Sequence, residues 1–111
     1  MEWIEFEPRP GQRIAFFDAY NKMGQLRAWA RVAEAAEGLT GEFSGAGALD
    51  ALDALCEALA KLVADWDLED AEGRPLPKPE SAEAFDDLST DAGGEVEWII
   101  NRLAERLNPN P

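Results

Sequence analysis

The chain has 111 residues, the length of one domain, and a chain of that size buries roughly 65% of its unfolded surface, enough for one modest core. Its apolar fraction of 46% and four tryptophans argue against global disorder, and no stretch approaches the ~20 apolar residues that span a bilayer. The formal net charge is −13, with no histidine and a single cysteine, which removes the commonest general base, the usual pH switch and any intramolecular disulfide.

The charge is uneven. Residues 1–31 hold five basic and four acidic side chains, whereas residues 32–111 hold five and nineteen. Nucleic acid and anionic membranes are disfavoured as direct ligands, because both need a Lys/Arg footprint. Basic proteins, or a role in keeping another chain soluble, fit the charge better. No basic stretch precedes an apolar run, and the expected location is the cytoplasm.

In chain order, residues 1–7 alternate at Ile4 and Phe6 and read as a short strand or extended arm, the arm spanning 1–10, ended by Pro8, Pro10 and Gly11. Residues 12–23 carry Ile14, Phe16, Phe17, Tyr20 and Met23 and read as a helix, with a strand over Arg-Ile-Ala-Phe-Phe as the alternative. Residues 25–37 predict a cleaner helix, with Leu26, Trp29, Ala30, Ala33 and Ala36 on one stripe. Residues 38–47 predict a flexible loop. A long helix is expected over about 47–66, where Leu49, Leu52, Leu55, Cys56, Leu59, Leu62, Val63 and Trp66 recur at steps of three and four.

The segment 67–81 is an acidic, proline-rich connection. Asp70-Ala-Glu-Gly73 is a turn signal with Gly73 free to take positive φ, and Pro75, Pro77 and Pro79 favour extended backbone. Ser81 is placed to cap a short helix through Leu88, anchored by Phe85 and Leu88. Ser89–Gly94 reads as a loop. A last helix over 95–107 is stopped by Asn108-Pro109-Asn110-Pro111. The expected architecture is one mainly α domain of four to five helices, with a short N-terminal extended segment and a Pro-rich loop.

No constellation speaks for catalysis. The acids between Asp65 and Glu72 invite a calcium loop, which needs glycine sixth and a bidentate glutamate twelfth. Counting from Asp65 these positions hold Asp70 and Leu76, and from Asp67 they hold Glu72 and Lys78. Both registers fail. Ser44 lies outside any nucleophile elbow, and the glycines of 38–47 lack the Lys-Ser/Thr end of a phosphate loop. Cys56 lies on an apolar stripe with no histidine to activate it and reads as a small core residue. The chain is therefore expected to be no enzyme and to hold no cofactor or metal.

Trp98 stands apart. Val96, Ile99, Ile100, Leu103 and Leu107 share one face of the last helix. At about 100° per residue, Trp98 points about 180° away, beside Asn101 and Glu105. It either packs under the 67–90 segment or anchors a protein interface, where tryptophan is enriched.

The run Leu62-Val-Ala-Asp-Trp-Asp-Leu-Glu-Asp-Ala-Glu-Gly-Arg-Pro-Leu-Pro77 resembles a pattern of tail assembly chaperones of long-tailed bacteriophages: an amphipathic helix ending in Trp-Asp-Leu, an acidic turn, a Pro-Leu-Pro stretch and two further helices. Pro10-Gly-Gln-Arg-Ile-Ala-Phe-Phe17 resembles the family's N-terminal region more loosely. The resemblance implies binding without chemistry in the host cytoplasm. The client would be the tape measure protein, kept soluble until tail tube subunits polymerise around it. It also implies that a longer, frameshifted product would contact the tail tube protein. On this reading Trp98, Trp3, Phe6, Phe16 and Leu76 are the candidate client contacts. The surplus of aromatics leaves self-association open. The alternative is an acidic nucleic-acid mimic that occupies a basic protein groove.

Overall fold

The computed structural model describes residues 1–39, 46–89 and 94–107; over 36–39 and 46–51 only the helical backbone is described. The fold is α+β rather than mainly α. Helices α1 (Met23–Leu39), α2 (Ala46–Leu62) and α3 (Glu95–Leu107) accompany an antiparallel sheet of β1 (Glu2–Glu5), β2 (Arg13–Phe16) and β3 (Val63–Trp66), in the order β1-β2-β3. Among the described residues there are thus three α-helices, not four to five.

Two expectations fail at the central strand. Residues 13–16 form β2, the strand alternative and not the start of a helix, and Ile14, Ala15 and Phe16 are all fully buried. A short unbroken apolar run is the signature of a strand covered on both faces, and periodicity alone cannot tell it from a buried helix. The long helix ends at Leu62 instead of running to residue 66. Val63 pairs with Phe16, Asp65 with Ala15 and Trp66 with Ile14, across a register shift between Ala15 and Phe16. Leaving the helix here satisfies backbone groups on the second edge of β2, and that edge would otherwise be buried unpaired.

β1 and β2 form a hairpin that pairs Trp3 with Ala15 and Ile4 with Ile14. Its Pro8–Gly11 turn is closed by Phe6 N–H to Gln12 O at 2.8 Å and Arg9 N–H to Phe6 O at 2.9 Å. Gly11, at φ +87°, adopts backbone that a side chain would strain. The arm of residues 1–10 is therefore extended, as its alternation suggests, but it is one half of a hairpin.

The core joins sheet residues (Ile14, Phe16, Val63, Trp66) to α2 (Leu55, Leu59, Leu62) and α3 (Val96, Ile99, Leu103), with Phe6, Leu68 and Phe85 closing its rim. α1 packs on α2 through the small face Ala28, Val32 and Ala35. The Leu26–Ala30–Ala33 stripe faces outward instead. The helix expected from Ser81 shortens to a 3₁₀ turn, Ala82–Phe85, and Ser81 makes no side-chain cap. Phe85 and Leu88 are buried as anchors should be. The loops expected over 38–47 and 89–94 fall largely outside the described residues, as do Asn108–Pro111; of the first, 38–39 and 46–47 are helical.

Candidate functional site

The acidic connection is organised by the residues at its start. Trp66 is 1% exposed and sits edge-on to Phe85, with ring centroids 4.9 Å apart. Its indole N–H donates to Pro77 O at 2.8 Å, and Lys78 Nζ donates to Trp66 O at 3.0 Å. Between these two clamps the chain makes a small hairpin. Leu76 N–H donates to Leu68 O at 2.9 Å, and Glu69 bridges to Pro75. Gly73 takes φ +83° at the tip, as the turn signal requires. Burying Trp66 against a proline carbonyl satisfies its one polar atom, and that contact folds 67–79 back on the sheet.

The acids of this segment are largely occupied. Asp70 Oδ1 accepts the N–H groups of Glu72 and Arg74, each at 2.9 Å. The Arg74 N–H above all, then that of Glu72 and the Arg74 charge, hold its carboxyl below the ordinary range. Burial alone would raise Asp65, but the hydrogen bond from Lys78 and the Trp66 N–H outweigh it and lower its pKa. Asp67 accepts from Arg13 N–H at 2.6 Å and pairs with its guanidinium. These carboxylates hold turns and strands together.

Arg9 is the junction that sequence reasoning missed. Only 16% of its side chain is exposed, and it donates to the Glu95 carboxylate and to the carbonyls of Glu69 and Asp87. Burial by itself would lower its pKa; the hydrogen bonds and charges of Glu95 and Asp87 reverse that and raise it. Glu95 in turn accepts Ser89 N–H at 3.3 Å, while Ser89 Oγ accepts Glu95 N–H at 3.1 Å. The first turn of α3 is thereby capped and tied to the hairpin turn. The available signal was a lone cation held rigid between Pro8 and Pro10 in a chain rich in acids.

The candidate contacts fall in different places. Phe6 and Phe16 are fully buried and offer no surface. Trp98 is half-buried, as neither prior alternative described: it lies edge-on to Phe6 at 5.0 Å, donates its N–H to Glu7 at 3.1 Å, and has the Arg102 guanidinium 5.6 Å from its ring. The β1–β2 turn, not the 67–90 segment, covers it. Leu76 is half-buried against the core. Trp3 is 38% exposed, with Arg13 stacked 5.2 Å over its ring. The structure brings Phe6 and Trp98 together and leaves Trp3 and Leu76 apart from them.

The remaining apolar surface is elsewhere. Met1, Phe17, Met23 and Leu26 are exposed, Met23 to 63%. Met1 and Phe17 line an open groove of about 670 Å³ with Lys22, Gly24, Gln25, Ala60 and Lys61. Edge-on to Phe17, Tyr20 O–H donates to Leu62 O at 2.5 Å and accepts from Phe17 N–H. Burial pushes its phenol up to about 12, against the opposing Phe17 hydrogen bond. Cys56 is half-buried, its thiol raised by burial and then by Asp86 and Asp53, which leaves it a poor nucleophile. Among the described residues no three acids or thiols converge to hold a metal.

No family model, curated protein or solved structure matches this chain.

Proposed function

We propose that this chain is a binding protein without catalytic chemistry that shelters apolar helices of another protein. Following the resemblance carried by Leu62–Pro77, we take the client to be the tape measure protein of a long-tailed phage. One observation supports this most: after the core has closed, large apolar side chains remain exposed on α1 and beside it, at Met1, Phe17, Met23 and Leu26. Exposed large apolar side chains on a small domain mark candidate contact sites; Met1 and Phe17 share one groove, and Met23 and Leu26 lie on α1 outside its lining. Of the five contacts inferred from sequence, Trp3 alone remains an open surface residue, so the client face moves toward α1. The mimic alternative has less support, because Asp65, Asp67, Asp70, Asp87 and Glu95 already hold internal cations.

Co-expression tests the proposal. An amphipathic tape measure fragment that precipitates alone should stay soluble and co-purify with this chain. Replacing Met23 and Leu26 with serine should return the fragment to the pellet while the chain itself remains folded. A fragment that precipitates equally with and without the chain refutes the chaperone function.

A further inference from the structure

The two edges of the sheet differ. Beside β3, Asp67 N–H donates to Arg13 O, so residue 67 bonds inward and the antiparallel alternation turns the main chain of Trp66 outward. Both of its outward groups are taken. Asp65 accepts the N–H at 2.8 Å, and Lys78 Nζ donates to the C=O at 3.0 Å. Next along the same edge, Leu68 O accepts Leu76 N–H. Side chains and the acidic hairpin close this edge.

On β1 the alternation is set by Phe6 N–H donating to Gln12 O. Ile4 opposite Ile14 and Glu2 opposite Phe16 then bond inward, and Trp3 and Glu5 turn their N–H and C=O away from β2. Among the described residues nothing bonds to these outward groups. The strand, Glu-Trp-Ile-Glu, has no proline, lysine or bulge to guard it; its guards are acids.

The charges around this edge resolve pair by pair. Arg106 pairs with Glu2, Arg102 with Glu105, Arg13 with Asp67, Arg9 with Glu95, and the Met1 ammonium with Asp18. Two acids are left over. Glu5 is exposed and in no ion pair, and the Glu7 carboxylate accepts only the neutral Trp98 N–H. Acidic guards repel a second copy of a chain with net charge −13 and admit a basic strand.

We infer that β1 accepts a fourth strand from another protein, an extended basic segment that pairs its main chain with Trp3 and Glu5. Its Lys or Arg side chains meet Glu5 and Glu7, and an apolar side chain covers Trp3, which is 38% exposed. Main-chain bonds give strand addition its affinity, and alternate side chains give its selectivity. This edge is separate from the α1 residues proposed to contact a helical client, and neither site depends on the other.

Labelled strand peptides of about seven residues, built of valine and threonine and differing only in two lysines or two glutamates, test this. Fluorescence anisotropy with the full chain should show the lysine peptide binding about tenfold tighter or more, and more weakly as salt rises. On binding, hydrogen exchange at the Trp3 and Glu5 amides should slow. N-methylation of the peptide amides that face β1 should abolish binding, and methylation of those that face away should not. Glu5→Lys, checked for fold by circular dichroism, should remove or invert the charge preference. Equal binding of both peptides, tighter binding of the glutamate peptide, indifference to methylation, or no binding overturns the inference. So does a dimer in sedimentation whose Trp3 and Glu5 amides are already protected without peptide, because the occupant is then a second copy.

Discussion

α1 and α3 each carry large apolar side chains on the face turned away from the main core stripe, and they meet opposite fates. On α3 the extra residue is Trp98, and the β1–β2 turn reaches it: Phe6 packs against its ring and Glu7 accepts its N–H. On α1 the extra residues are Met23 and Leu26, 63% and 45% exposed, and they stay on the surface. A surplus apolar residue becomes core or stays exposed according to whether a distant segment is brought to it. Its position on its own helix does not decide the matter.

The contrast can be broken at several points. The largest effect is expected at Trp66, the centre of the closed side. Trp66→Ala removes the Phe85 contact and releases Pro77, and should cost about 3–5 kcal/mol in urea unfolding. Next comes Arg9. Arg9→Ala strands Glu95, a largely buried carboxylate, and should cost about 2–3 kcal/mol, less than a fully buried pair because both groups keep some water. Hydrogen exchange should show α3 and the acidic hairpin loosening together. If only one of them loosens, Arg9 does not join them.

Trp98→Ala should cost about 1–2 kcal/mol, from the lost ring contact and exposed Phe6. It should leave client binding unchanged if α1 is the contact face. Loss of the client with an unchanged melting temperature would instead make Trp98 the interface anchor. The smallest effect at neutral pH concerns Tyr20, edge-on to Phe17. Its phenol, the only one in the chain, should titrate near about 12 in tyrosinate absorbance, against an ordinary 10.0. A raised folded pKa contributes stability that is full below pH 10 and is lost as pH rises through about 12. Tyr20→Phe should remove that alkaline loss, and a midpoint near the ordinary value would place Tyr20 in solvent.

Local signals were readable wherever the chain answered to its own neighbours. Helices over 25–37 and 95–107, the prolines and glycine that end the arm, the positive φ of Gly73, and the buried anchors Phe85 and Leu88 all appear in the structure. The sheet was only partly readable: strands over residues 1–7 and 13–17 were alternatives in the sequence, whereas β3 was hidden in a helical pattern. Ile14-Ala15-Phe16 is a short apolar run, and Val63–Trp66 continues the helical spacing of α2; both become strands through pairing across some fifty residues, and such pairing is not set by local periodicity. For the same reason Phe6 and Phe16 read as surface aromatics and prove to be core. Arg9 had no local signal beyond its prolines, because its partners lie 60 to 86 residues away.

Amino-acid order alone was enough to establish an acidic chain with amphipathic helices, a rigid acidic turn and more apolar side chains than helical stripes could use. Folding in three dimensions determined which of those side chains were sealed and which were left over. Burial and ion pairing depend on long-range approach: β2 drew β3 out of a helix, and Arg9 bound three segments together. Among the described residues, no such segment covers Met23 and Leu26 on α1.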